Sequence, residues 1–206
     1  MQNERCRICR LPLFALLLTA ALLLASLTTV AAMEPAGVAP LPSLGTAAAA
    51  ATLQPDPVVA AMIDQVEQAT LWQYEAWLTG EEAALIGGEP YTITTRHTYS
   101  GVPIQKATQF AYEHFEELGL EVAYHQWADV TDPNVIATKR GASNPEKIYL
   151  ISAHLDDLPW YDPPSQGLAP GADDNASGSV AVLVAADILS RYEFACTLKF
   201  ALWTGE

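Results

Sequence analysis

The sequence predicts an α/β fold in which a mostly parallel central sheet is flanked by helices. A nearly continuous apolar run at 147–154 is typical of a strand that is buried on both faces. An apolar helical segment at 177–192 comes next, and a second buried strand is predicted at 196–204. A strand, a helix and a strand in this order predict a right-handed βαβ crossover between two parallel strands.

Four shorter elements are predicted upstream of this unit. Apolar residues at helical spacing in 57–79 predict an amphipathic helix that ends near Gly80. The same pattern over 102–118 predicts a second helix. Strand-like runs at 121–127 and 134–140 follow it. Helices and strands therefore alternate along the chain, as the α/β class requires.

Length and charge limit the classes of function. A chain of 206 residues has room for one domain with an appendage. Its 10 Lys and Arg residues against 24 Asp and Glu residues give a formal net charge of −14 at pH 7. This charge argues against nucleic acid as a partner, because phosphate binding needs clustered basic side chains.

The first 32 residues have the pattern of a signal peptide. Three arginines precede the apolar run LPLFALLLTAALLLASL, and small residues at Val30 and Ala32 suit cleavage before Met33. We therefore expect an exported protein, secreted or periplasmic, that has no contact with the membrane after cleavage. An uncleaved membrane anchor is the alternative, because the run is near the length that spans a bilayer.

A second N-terminal segment, 33–56, is rich in Ala and Pro and predicts a flexible linker or a pro-segment. Cys6 and Cys9 have the C-x-x-C spacing of redox and zinc motifs, but they lie inside the predicted signal peptide. After cleavage before Met33, Cys196 would be the only cysteine in residues 33–206. No disulfide is therefore expected within them.

Chemically active residues fall at the carboxyl edge of the predicted sheet. His154 stands at the end of one strand, Asp173 and Asp174 precede the following helix, and Glu206 follows the next strand. Folds of the α/β class bind ligands at this edge. A histidine among carboxylates suits a divalent metal, zinc above all. A surface turn is the other interpretation of APGADDNASG, since Gly, Asp and Asn favour turns, but the convergence argues against it.

Three motifs together resemble the M28 family of zinc aminopeptidases: SAHLDD, PGADDNASG and a strand that ends in WTGE. The intervals of 20 positions from His154 to Asp174 and 32 positions from Asp174 to Glu206 also fit that family. HLDDLP matches the H-x-D-x-x-P pattern of the M20 metallopeptidases as well. The form of PGADDNASG is similar to M28 and decides between the two.

The resemblance implies a role for each matching residue. His154 would bind one zinc ion, and Asp174 would bridge two. Asp156 would hold the second imidazole nitrogen of His154 and so fix its tautomer. Glu206 would be the general base that takes a proton from water. The family also suggests a cis peptide after Asp174.

The implied fold is a three-layer sandwich of the zinc aminopeptidase/phosphorylase type over residues 57–206. The implied function is that of a secreted metallo-aminopeptidase, which removes N-terminal residues of peptides or proteins through water activated by two zinc ions. The family motif is GEE, whereas this sequence ends at Glu206 and lacks the later Asp and His ligands. We therefore expect the N-terminal part of a peptidase domain, inactive on its own.

Two alternatives to the peptidase stay open at this point. One is an M28-fold enzyme that is not a peptidase, such as a glutaminyl cyclase, and the other is a receptor-like binding module. Further polar residues are interpreted as turn, capping, packing or surface residues, not as ligands: Asp157, Asp173, Asn175, His97, His114 and His125.

Overall fold

The computed structural model describes residues 56–129, 132–158 and 168–205. The predicted signal peptide at 1–32 and all of the predicted linker at 33–56 except Asp56 lie outside the described residues, as does Glu206. Among the described residues, no helix is both long enough and apolar enough to cross a bilayer.

The described residues form helices and strands in alternation, with boundaries mostly within a few residues of those predicted. The helices are α1 (Pro57–Ile63), α2 (Gln68–Thr79), α3 (Val102–Glu117) and α4 (Ser177–Leu189). The strands are β1 (Ala84–Ile86), β2 (Glu89–Tyr91), β3 (Glu121–His125), β4 (Asn134–Lys139), β5 (Asn144–His154) and β6 (Cys196–Trp203). A turn at Ala172–Ala176, in which Asp174 and Asn175 have non-helical backbone angles, leads into α4.

The central sheet has the strand order β3-β4-β6-β5. Strands β5 and β6 are parallel and are connected through α4, so the predicted βαβ unit is confirmed. The pairs β3–β4 and β4–β6 are antiparallel. The α/β class is therefore correct, but the described sheet is mixed and not mostly parallel. Few residues separate β3 from β4 and β4 from β5, too few for the crossover that parallel strands need, so β4 runs opposite to both strands.

Helices α3 and α4 contact each other and the sheet. Phe115 of α3 lies with its ring centroid 6.3 Å from that of Phe200 on β6, and both side chains are fully buried. Leu183 of α4 and Leu202 of β6 belong to the same core. This packing fixes the N-terminus of α4 relative to the carboxyl ends of β5 and β6.

The environment of β5 differs from its predicted environment. Its apolar sequence predicts burial on both faces, yet Ile148, Tyr149 and Leu150 are 50–53% exposed. The reason is that β5 lies at the edge of the described sheet, with β6 as its only neighbour among the described strands.

The single helix predicted over 57–79 is in fact two helices. Helix α1 ends at Ile63, and α2 begins after Glu67, whose backbone is extended with φ −104° and ψ 129°. At the break, the side-chain amide of Gln65 donates a hydrogen bond to the Tyr192 hydroxyl (2.6 Å). The helical periodicity continues without interruption through residues 57–79. It therefore gave no sign of a break at which Gln65 contacts the distant Tyr192.

Strands β1 and β2 form a hairpin that the sequence analysis missed. Ile86 pairs with Glu89, which leaves Gly87 and Gly88 as the two-residue turn. Their φ angles of +67° and +79° are those that a type I′ turn needs at both central positions. The Gly-Gly pair between two short strand-like runs is the signal that identifies this hairpin.

Candidate metal centre

Two of the predicted ligands meet at the carboxyl edge of the sheet. His154 is the last residue of β5, and Asp174 lies in the kinked turn Ala172–Ala176 before α4. The imidazole Nε2 of His154 is 3.2 Å from Oδ1 of Asp174. The His154 side chain is 25% exposed and that of Asp174 is 74% exposed, so the pair is open to solvent.

The other nitrogen of His154 determines what this pair can hold. Nδ1 is 3.0 Å from the backbone carbonyl oxygen of Asp156, and a carbonyl oxygen can only accept a hydrogen bond. Nδ1 is therefore the donor in this contact, which leaves Nε2 to face the Asp174 carboxylate. Either a proton or a metal ion between Nε2 and the carboxylate oxygen accounts for a contact at this distance.

Zinc fits the geometry of the pair. Ligand bonds of about 2.0–2.2 Å in tetrahedral geometry place two donor atoms about 3.3 Å apart. The separation of 3.2 Å between His154 and Asp174 agrees with that value. Over the described ranges, no group of three His, Cys, Asp or Glu side chains could hold a metal ion. His154 and Asp174 are thus two donor side chains in contact, and a metal ion held by them would need further ligands.

Asp156 contacts His154 through its backbone. Its carbonyl oxygen lies 3.0 Å from Nδ1 of the imidazole, and the role that the resemblance implies for the carboxylate stays a prediction. The carboxylate is fully buried, and its Oδ2 accepts hydrogen bonds from the Thr98 hydroxyl (2.6 Å) and the Gly205 N–H (2.6 Å). Through these hydrogen bonds Asp156 links the end of β5 to the residue before Glu206.

The turn that carries Asp174 is closed by backbone and side-chain hydrogen bonds. The N–H of Ala176 donates to the carbonyl oxygen of Gly171 (2.9 Å). Oδ1 of Asn175 accepts from the N–H of Gly178 (2.9 Å), which is the capping role predicted for this amide. The peptide bond between Asp174 and Asn175 is cis, as the family resemblance suggests.

Arg96 lies behind the site, and the sequence analysis did not identify it. Its side chain is fully buried and donates to four backbone carbonyl oxygens. Nε donates to Leu155 (2.7 Å), Nη1 to Leu78 and Pro170 (both 2.6 Å), and Nη2 to Gly171 (2.8 Å). No residue pattern marks such a role, since any residue can offer a carbonyl group.

Burial and neighbouring charges shift the pKa values of Arg96 and Asp157. Burial lowers the pKa of Arg96 to about 10, while Asp157, Glu75 and Asp156 act in the opposite direction. Burial raises the pKa of the Asp157 carboxyl, and the Arg96 charge opposes that shift. Arg96 therefore stays protonated at neutral pH and offsets part of the negative charge near the turn.

The remaining histidines form no metal cluster with His154 among the described residues. His97 is buried, and His125 is exposed at the end of β3. Nε2 of His114 is 3.0 Å from Oδ1 of Asp187, which links α3 to α4. His114 thus packs between two helices and His125 lies at the surface, and the expectation that none of the three histidines is a ligand stays a prediction.

Gly205 allows the chain to leave β6 toward Glu206. Its φ of +90° is unfavourable for other residues, and an added Cβ would overlap the indole ring of Trp127. The indole is anchored by a hydrogen bond from Nε1 to the Thr204 hydroxyl (3.2 Å). No side chain therefore fits at Gly205 unless the indole moves.

Gly205→Ala is expected to lower the free energy of unfolding by more than about 2 kcal/mol, because a backbone cost of about 1–2 kcal/mol adds to the overlap with Trp127. Gly119→Ala is the matched control, since φ is +72° there and the space is open. It should show the backbone cost alone. Urea unfolding of both variants tests this difference, and equal losses would mean that Trp127 moves without cost.

Comparison with known proteins confirms the family resemblance for the segment that contains this site. Residues 134–206 match the family model of Peptidase family M28. A "Probable leucine aminopeptidase" of Arthroderma benhamiae is 39% identical over 93 residues, which are 42% of this chain and 24% of that protein. A "Probable zinc metalloprotease" of Pyrenophora teres f. teres is 38% identical over 72 residues, 35% of this chain and 16% of that protein. The chain thus spans less than a quarter of each relative.

Solved structures share the fold. LapB from Legionella pneumophila has a TM-score of 0.59 at 22% identity and covers 73% of this chain and 38% of its own. The glutaminyl cyclase of Fimbriiglobus ruber has a TM-score of 0.54 at 17% identity and covers 69% of this chain and 46% of its own. At these identities the likeness shows the fold alone, and it supports the α/β class.

Proposed function

We propose that this chain carries part of the active site of a zinc aminopeptidase of family M28. The observation that carries the proposal is the contact between His154 Nε2 and Asp174 Oδ1 at the sheet edge, within the segment that matches the family model. The names of the relatives, a zinc metalloprotease and a leucine aminopeptidase, support zinc as the metal and N-terminal peptide bonds as the substrate. The pattern of residues 1–32 supports export to the periplasm or the exterior.

His154 and Asp174 are the proposed zinc ligands in these residues. The Asp156 carbonyl holds Nδ1 of His154, so that Nε2 has its lone pair ready for a metal. A carboxylate has two oxygens, so Asp174 could bind one zinc ion through each of them, as the resemblance implies. Bound zinc would polarise the scissile carbonyl and make water more acidic. The further ligands are proposed to come from the whole protein, since the described residues do not contain them.

Glu206 is the proposed general base, although it lies outside the described residues. It would take a proton from the attacking water and pass it to the leaving amine. Two hydrogen bonds fix the chain just before Glu206 to the end of β5, which carries His154. The Gly205 N–H donates to the Asp156 carboxylate, and the Leu155 N–H donates to the Trp203 carbonyl (2.7 Å). This attachment supports the general-base assignment.

The whole protein is expected to release the first residue from aminoacyl-nitroanilides such as leucyl-p-nitroanilide. A chelator should abolish the release, and added Zn²⁺ should restore it, because His154 and Asp174 cannot act on the carbonyl without the metal. The N-acetylated substrate is the matched control and should not be cleaved, since an aminopeptidase needs a free amine. Release that continues after removal of all metal would contradict the mechanism.

A glutaminyl cyclase activity is the second candidate, and the shared fold with the Fimbriiglobus ruber enzyme is the observation that favours it. The same protein, incubated with a peptide that begins with Gln, would then lose ammonia and form a blocked N-terminus. Mass spectrometry distinguishes that product from the shortened peptide of an aminopeptidase. A receptor-like module without metal ligands is disfavoured, because His154 and Asp174 are both present and in contact.

A further inference from the structure

We propose that Arg96 is a positioning residue, which sets Asp174 against His154 by holding the backbone of the two segments that carry them. The inference rests on the proposed function, because it concerns the ligands of the same metal site. Its evidence is independent of the metal, since it consists of hydrogen bonds within the protein.

On the His154 side, Arg96 holds the segment that follows β5. Its Nε donates to the carbonyl oxygen of Leu155, the residue directly after His154 (2.7 Å). The backbone adds two hydrogen bonds, from the Asp157 N–H to the Arg96 carbonyl (3.0 Å) and from the Thr98 N–H to the Asp157 carbonyl (3.2 Å). The end of β5 is therefore fixed to Arg96 by both side chain and backbone.

On the Asp174 side, the same guanidinium holds the start of the acidic turn. Nη1 donates to Pro170 (2.6 Å) and Nη2 to Gly171 (2.8 Å), while the Arg96 N–H donates to Ala169 (2.8 Å). The Gly171 carbonyl also accepts the Ala176 hydrogen bond that closes the turn. A shift of this carbonyl would consequently move the turn that carries Asp174.

The planar guanidinium suits this task better than an ammonium group. Arg96 also donates to the Leu78 carbonyl near the end of α2 (2.6 Å), so its donors serve three separate segments at once. The side chain is fully buried, and loss of its donors would leave four carbonyl groups without these partners. A lysine has its three donors on one nitrogen atom. It cannot reproduce the planar fork of N–H donors, spread over three nitrogen atoms, that the guanidinium presents.

The test compares Arg96→Met and Arg96→Lys with Tyr74→Phe in the whole protein. We expect both Arg96 variants to bind zinc about 10–100-fold more weakly in competition with a fluorescent chelator. In the metal-free protein, amide hydrogen exchange in 169–176 should become faster. Tyr74→Phe is the control, because it removes a hydrogen bond to Asp187 (2.8 Å) that links α2 to α4 and involves no atom of the turn. It should leave both measurements unchanged.

Each outcome supports or overturns the inference. Wild-type zinc affinity in both Arg96 variants overturns it, as does an equal loss in Tyr74→Phe, which would indicate general instability. Full recovery in Arg96→Lys would show that charge, not the fork, is required, and would also overturn it. If the wild-type protein itself binds no zinc, the proposed function fails, and unchanged exchange in 169–176 would then separately overturn the role of Arg96.

Gly171→Ala covers the case in which the Arg96 variants do not fold, because it tests whether zinc binding depends on the position of the turn that Arg96 holds. An added Cβ would overlap the backbone carbonyl oxygen of Asp174 and would lie 2.6 Å from Oδ2 of Asp157, so it strains this turn while the Arg96 side chain is retained. We expect the same weakening of zinc binding and the same faster exchange. Wild-type values for both would overturn the inference.

Discussion

Asp174→Asn is expected to remove zinc from the site and to lower kcat/KM of the whole protein by at least about 1,000-fold. The carboxylate of Asp174 is the group that faces Nε2 of His154, 3.2 Å away. Asparagine keeps the shape of the side chain, but it replaces the negative charge with a neutral amide. Loss of the metal removes several kcal/mol of transition-state stabilisation, and each 1.36 kcal/mol is about tenfold in rate.

The neighbouring acid provides a matched control for this prediction. Asp173→Asn makes the same change in charge, one residue away and in the same turn. Asp173 lines a cavity of about 490 Å³ beside Glu75 of α2, and no ion pair with His154 is found for it in the described part of the chain. Zinc content and kcat/KM should remain near wild type. Equal losses in both variants would mean that net charge, not ligation by Asp174, retains the metal.

The meeting of His154 and Asp174 could be predicted because it depends on patterns that sequence displays. Apolar runs mark β5, α4 and β6, and a βαβ connection brings the end of β5 next to the start of α4. The motifs around the two residues gave the family resemblance, and the match of residues 134–206 to the family model confirms it. Local spacing and element order therefore sufficed to predict that these two residues meet.

Other features depend on contacts that sequence does not display. Arg96 acts through carbonyl groups, which every residue has, so no motif marks its partners. The break between α1 and α2 involves a contact with Tyr192, far along the chain. The exposure of Ile148 and its neighbours depends on which strands lie beside β5, and an apolar run does not specify that. Tertiary contacts, more than local propensity, decide these three features.

Glu206→Gln is expected to lower kcat of the whole protein by about 10²–10⁴-fold while zinc stays bound, because an amide cannot accept a proton from water near neutral pH. The variant keeps the length of the side chain, so KM should change little. The residue before it is held by the hydrogen bond from the Gly205 N–H to the Asp156 carboxylate (2.6 Å), which involves no atom of residue 206. Steady-state kinetics and zinc content, measured together, separate chemistry from metal binding.

Glu193→Gln is the matched control for Glu206, because it makes the same chemical change at an exposed residue between α4 and β6. It should keep wild-type kcat. Unchanged turnover in Glu206→Gln would remove Glu206 from the role of general base. Loss of zinc together with turnover would instead make Glu206 a ligand, and His154 and Asp174 would then have their third partner at the end of β6.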